Sequence, residues 1–127
     1  MLSYKYLSLA LLSTLLIMKV SSIPDQFLWG NRAMYVQIIA NLAHIPAYAL
    51  LTFLCLKSFV GSASKNHIIL SFFILAGLAL FAISDEFHQS FVPGRSASFM
   101  DIGLDLIGIF LGSGVFRAIK KFSISKT

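Results

Sequence analysis

Four apolar blocks separated by short polar stretches run along the chain. The first is residues 6–18, flanked by Lys5 and Lys19, and the second is residues 42–60. The third, 67–89, has no charge between 68 and 83, and the fourth, 99–116, leads into a basic tail of Arg117, Lys120, Lys121 and Lys126. A helix of roughly 20 apolar residues crosses a bilayer, and the short first block can do so if its flanking lysines reach out to the headgroups. The pattern predicts an all-α integral membrane protein: a four-transmembrane-helix bundle forming a single membrane domain over 1–127, with helices at about 5–20, 42–60, 67–89 and 99–117. Residues 21–41 are mixed, with Pro24, Asp25, Trp29, Gly30, Asn31, Arg32 and Tyr35. Aromatic rings with polar tips suit the headgroup level, so an extracytoplasmic loop with a partial interfacial helix is expected there. Residues 61–66 give a short polar turn, and Pro93-Gly94 a tight turn between the last two helices. The first block has a second reading, a signal peptide cleaved after Val20-Ser21-Ser22. Lys19, immediately before that site, speaks against it.

Composition sharpens this picture. Hydrophobic residues make up 57% of the chain and charged residues 12%, with a mean hydropathy of +0.85. Soluble domains carry about a quarter charged residues. Ten Lys+Arg stand against five Asp+Glu, a net charge of +5, yet no basic stripe interleaved with aromatics points to nucleic acid. In a membrane chain a basic excess sets orientation. Four spans put Lys5, Lys57, Lys65, Arg117, Lys120, Lys121 and Lys126 on one side and Lys19, Arg32 and Arg95 on the other. Seven against three makes the first side cytoplasmic, with both termini there. The five acids, Asp25, Asp85, Glu86, Asp101 and Asp105, then fall toward the outer side. Cys55 is the single cysteine, inside an apolar block, which excludes a disulfide framework and a thiolate metal site and leaves it a packing role.

Candidate chemistry is concentrated in residues 84–105. On a helix Asp85, His88 and Gln89 share a face with Glu86 beside them, and Asp101 and Asp105 share another at the start of the fourth helix. That second face continues as Gly108 and Gly112, a G-x-x-x-G spacing that admits a neighbouring backbone. Asp105 lies about one turn below the surface, where an unpaired charge costs several kcal/mol, so it needs a partner or a proton. Arg95, just past the Pro93-Gly94 turn, can fold its guanidinium back toward the carboxylates. His44, flanked by Asn41 at i−3 and Tyr48 at i+4, presents a third polar stripe at the same depth. Three converging stripes make a candidate site. Asp85, Glu86 and His44 are its acid/base candidates, and Arg95, Gln89, His88, Asp101, Asp105 and Tyr48 its ligand contacts. The bland alternative is an ion-pair cluster that only pins the loop to the bundle. His44, Glu86 and His88 offer nitrogen and oxygen ligands, but no H-E-x-x-H spacing supports them, so neither a metal nor a cofactor is expected.

The run Asp85-Glu86-Phe87-His88-Gln89-Ser90-Phe91-Val92-Pro93-Gly94-Arg95, followed by Asp101 and the Gly108/Gly112 pair, resembles the VanZ family. Its members share D-E-x-x-Q-x-F-x-P-G-R, then D and a later N-x-x-G-x-x-x-G. Asn41-Leu42-Ala43-His44-Ile45-Pro46-Ala47-Tyr48 is similar to the family's D-K-x-x-H-x-x-x-Y, so the likeness covers about 40–116. Two positions depart from it: Asn41-Leu42 replaces Asp-Lys, and Asp105 stands where Asn is usual. The resemblance implies a small multi-pass protein of the bacterial cytoplasmic (inner) membrane. The founding member is associated with low-level resistance to teicoplanin, a glycopeptide that binds cell-wall precursors. It leads to the expectation of an outward-facing polar site that engages a lipid-linked or peptidoglycan-related ligand and influences glycopeptide susceptibility, with Arg95 on a phosphate or carboxylate. The alternative is a non-catalytic membrane module that docks on another envelope protein. A third reading, proton conduction through Asp105, has too few helices and no broken-helix pair in its favour.

Overall fold

A computed structural model describes residues 2–24, 38–39, 41–60, 67–95 and 97–124. It contains four helices, α1 (Tyr4–Ser21), α2 (His44–Phe59), α3 (His67–Gln89) and α4 (Phe99–Ile124), and no strand among the described residues. The expected interfacial segment around Trp29, Arg32 and Tyr35 and the 61–66 turn lie outside those residues. By length and composition α1, α3 and α4 can each cross a membrane, whereas α2 is apolar but shorter, at 16 residues. Helical hydrogen bonding begins before α2: the Ala43 N–H donates to the Ile39 carbonyl (3.1 Å) and the Ala47 N–H to the Ala43 carbonyl (3.2 Å). Pro46 is the third residue of α2, where its missing N–H costs little. At the other end α4 runs to Ile124, about two turns beyond the expected 117. Arg117, Ala118, Lys120 and Lys121 are strong helix formers, and cations are favoured at a helix C-terminus.

Hydrogen bonds between helix ends fix the arrangement. The Ser3 N–H donates to the Ser58 carbonyl (3.0 Å) and the Ser58 hydroxyl to the Ser3 carbonyl (3.2 Å), joining the start of α1 to the end of α2. Beside them Lys57 Nζ lies 5.9 Å from the centre of the Tyr6 ring. At the opposite end Ser21 of α1 meets Asp85 of α3, and His44 of α2 meets Asp105 of α4. The chain therefore runs up-down-up-down, with one basic end and one acidic end.

The largest interface is between α2 and α4, with α1 on α2 and α3 on α4. It is close because α4 presents glycine. A Cβ on Gly108 would lie 2.5 Å from the Ile45 carbonyl oxygen, and one on Gly112 would collide with that of Ala49. Tyr48, Leu51, Leu54, Ala82 and Ile109 fill the core on the acidic side of the middle, and Leu56, Val60 and Phe116 fill it toward the basic end. Leu11, Leu15, Phe72, Phe73, Phe87 and Phe110 point outward, each more than half exposed. So broad an apolar exterior matches acyl chains, not water.

Between α3 and α4 the chain reverses through a type II turn. The Arg95 N–H donates to the Val92 carbonyl (3.0 Å), Pro93 holds the first central position and Gly94 the second at φ 81°. A side chain is strained at that φ, so Gly94→Ala is expected to destabilise the bundle by about 1 kcal/mol. Thermal unfolding in a fixed detergent checks this, and an unchanged midpoint would refute the turn assignment.

Candidate functional site

The acidic end holds two connected groups of side chains. The first ties α1 to the end of α3. The Ser21 hydroxyl donates to Asp85 Oδ2 (2.7 Å), and Gln89 Nε2 donates to the same oxygen (3.2 Å) and to Ser21 Oγ (3.4 Å). Arg95 Nη1 donates to Gln89 Oε1 (2.8 Å), Nε to the Ile23 carbonyl (3.2 Å) and Nη2 to the Val20 carbonyl (3.4 Å). The last carbonyls of a helix have no partner within it, and a guanidinium there satisfies them and opposes the dipole. The type II turn thus brings Arg95 back onto the end of α1, through Gln89. Ser22 Oγ and His88 Nε2 are 3.0 Å apart at the exposed edge of this group.

The second group lies between α2, α3 and α4. His44 Nδ1 is 2.8 Å from Asp105 Oδ1; the Asp105 side chain is fully buried and that of His44 is 19% exposed. The i+4 spacing places Asp105 one turn beyond Asp101 on α4, and Gly108 and Gly112 on the same face let α2 come near enough for His44 to reach it. Glu86 is 1% exposed, and its Oε2 accepts the Ser98 N–H (3.0 Å). Ser98 is the N-cap of α4, its Oγ accepting the Met100 N–H (3.1 Å). Glu86 and Asp101 therefore stand at the positive end of the α4 dipole. Asp101 is within electrostatic reach of His44, Glu86 and Asp105. Tyr48 is buried one turn after His44, its ring 6.0 Å from that of Phe81.

Several buried polar atoms here have no hydrogen-bond partner among the described residues: Glu86 Oε1, Asp101 Oδ1, Asp105 Oδ2, Asp85 Oδ1 and the Tyr48 hydroxyl. His44, Glu86 and Asp105 each offer one nitrogen or oxygen atom, all within 4.8 Å of one another. The trio weighed from sequence, His44, Glu86 and His88, does not form, because His88 is exposed and turned to Ser22.

The sequence-derived candidates thus divide. His44, Tyr48, Glu86, Asp101 and Asp105 gather around the unpartnered oxygens, while Asp85, Gln89, Arg95 and His88 belong to the junction with α1. Pro93 and Gly94 form the turn, and Gly108 and Gly112 seat α2. Sequence reasoning missed Ser21 and Ser98. A serine before Phe99, three residues ahead of Asp101, is a capping signal that marks Ser98. Ser21 had no such mark beyond being a polar residue at the end of an apolar block.

No curated protein and no solved structure matches the chain. A family model described as VanZ/LLP1 matches residues 3–120, taking in α1 as well as the motif-bearing 40–116. With that match over almost its whole length, the chain belongs to the VanZ/LLP1 family.

Proposed function

We propose that this protein works at the outer face of the bacterial cytoplasmic membrane, where its acidic end engages the headgroup of a lipid-linked, peptidoglycan-related molecule and thereby influences susceptibility to glycopeptides such as teicoplanin. The observation that carries this reading is the set of buried acceptors Glu86 Oε1, Asp101 Oδ1 and Asp105 Oδ2, without a partner among the described residues, at one end of an apolar bundle. Each unsatisfied buried acceptor costs about 1–3 kcal/mol, a cost that incoming donors remove. Sugar hydroxyls and amide N–H groups are such donors, and peptidoglycan-related headgroups carry both.

The orientation follows from the distribution of positive charge. Lys5, Lys57, Arg117, Lys120 and Lys121 lie toward the basic end, and only Lys19 and Arg95 of the described Lys and Arg residues lie toward the acidic one. Four spans with both termini cytoplasmic then face the acidic end outward. In this reading Asp105 fixes the tautomer of His44, and His44 and Glu86 are the groups that would exchange a proton with the ligand. Arg95 and Gln89 act as positioning residues that hold the turn and the end of α1.

A second reading makes the polar end structural, in a module that docks on another envelope protein. The Ser21–Asp85–Gln89–Arg95 chain favours it, since those bonds join three parts of the fold. Glu86→Gln separates the two. The ligand reading expects altered teicoplanin susceptibility in a sensitised host at normal protein abundance. Unchanged susceptibility at normal abundance overturns it, and a joint fall of abundance and function assigns the cluster to folding.

A further inference from the structure

We infer that His44, Glu86 and Asp105 form a binding site for a divalent first-row metal ion, Mn2+ or Zn2+. One imidazole with two carboxylates is a donor set both ions accept. The three side chains come from α2, α3 and α4, and their ligand atoms lie within 4.8 Å of one another. Ligands about 2.1 Å from a shared ion sit roughly 3.0–3.5 Å apart. An ion bound among them would draw the three ligand atoms together.

A cluster of acids alone does not make a metal site, but how these oxygens are bonded does point to one. Glu86 and Asp105 are 1% and 0% exposed, and each has one oxygen held and one without a partner among the described residues. Glu86 Oε2 is fixed by the Ser98 N–H, and Asp105 Oδ1 faces His44, so Glu86 Oε1 and Asp105 Oδ2 remain. This is how a monodentate carboxylate ligand is held, its second oxygen oriented from outside. Tyr48 adds an observation independent of the acids. Its hydroxyl, on the α2 face next to His44, is buried without a partner among the described residues and within electrostatic reach of Asp105 and Glu86. It would donate to a ligand carboxylate or to a metal-bound water.

Charge points the same way. Asp85, Glu86, Asp101 and Asp105 are all buried at this end; among the described residues His44 faces Asp105, and Arg95 donates to Gln89, which is itself bonded to Asp85. A dication would offset charge on the Glu86 and Asp105 carboxylates, with His44 then neutral and bound through one ring nitrogen. Three protein ligands leave coordination positions open. The site rests on the cluster geometry alone, not on the lipid-linked ligand proposed above.

The test uses the full chain without a histidine tag, in nanodiscs, stripped with EDTA and then dialysed against Mn2+ or Zn2+. About one retained ion per chain and a raised unfolding midpoint are expected. Glu86→Gln and Asp105→Asn should each weaken binding at least tenfold, while His67→Ala, at the far end of α3, should leave it unchanged. If a variant does not fold, spin-echo spectroscopy of the Mn2+-loaded wild type decides, with coupling to an imidazole nitrogen expected. Wild-type protein that is folded but retains neither ion overturns the inference. So does equal binding by folded Glu86→Gln, or bound Mn2+ without nitrogen coupling. None of these results depends on teicoplanin susceptibility, so the metal site and the ligand reading can fail separately.

Discussion

Gly112→Val is expected to unseat α2 from α4 and to cost the bundle about 3 kcal/mol or more. A Cβ at this position would overlap the Ala49 carbonyl oxygen and lie 2.9 Å from Thr52 Cβ. Most small-to-large core changes cost about 1–3 kcal/mol because neighbouring side chains can turn away. Here the obstacle is backbone, so the helices themselves must move apart. That movement opens the largest interface in the fold and pulls His44 away from Asp105. Gly114, two residues along, is the internal control, because nothing lies within 4 Å of a Cβ built on it. Gly114→Ala should be neutral, or stabilising by up to about 1 kcal/mol through helix propensity. Unfolding of both variants in the same detergent reads the difference, and equal midpoints would contradict the close seat.

His44→Ala is expected to be nearly as damaging, at about 3–5 kcal/mol, because it leaves Asp105 buried without its partner. Asp105 is 0% exposed, and its second oxygen already lacks a hydrogen bond among the described residues. Asp105→Asn should be milder, at about 1 kcal/mol, since the amide oxygen still accepts a proton held on His44 Nδ1. An Asn here is also the usual residue in the VanZ pattern. The double variant His44→Ala/Asp105→Ala should cost less than the sum of the single alanine changes, with a coupling of about 0.5–3 kcal/mol. Strict additivity across that cycle would mean that the 2.8 Å pair contributes nothing to stability.

The fold was readable to the extent that it rests on local pattern. Apolar blocks of helix-spanning length, a Pro-Gly turn and a four-residue glycine spacing each act within a few residues, so one strand of sequence carries the signal. The meeting of His44 with Asp105 was foreshadowed by polar stripes at equal depth, because helix length converts position into height. Rotation of each helix about its own axis was not readable. Rotation puts Ser21 against Asp85 and turns His88 outward to Ser22, so that Asp105, not His88, lies near His44 and Glu86. Arg95 was harder still. A guanidinium has five donors and reaches several ways, and the backbone carbonyls of Val20 and Ile23 leave no trace in side-chain pattern. The extension of α4 to Ile124 escaped for a simpler reason: the apolar block ends at Phe116, but Arg117, Ala118, Lys120 and Lys121 are good helix formers and carry the helix on.

The most direct test of an outward-facing acidic end is cysteine accessibility in intact cells. Cys55→Ser removes the native thiol, and single cysteines are then placed at Ser90, exposed beside the end of α3, or at Lys121, exposed near the end of α4. A membrane-impermeant maleimide should label Ser90→Cys from outside and reach Lys121→Cys only after the membrane is opened. Labelling of Lys121→Cys in sealed cells, with Ser90→Cys protected, would put the acidic cluster in the cytoplasm and contradict the proposed outer-face site.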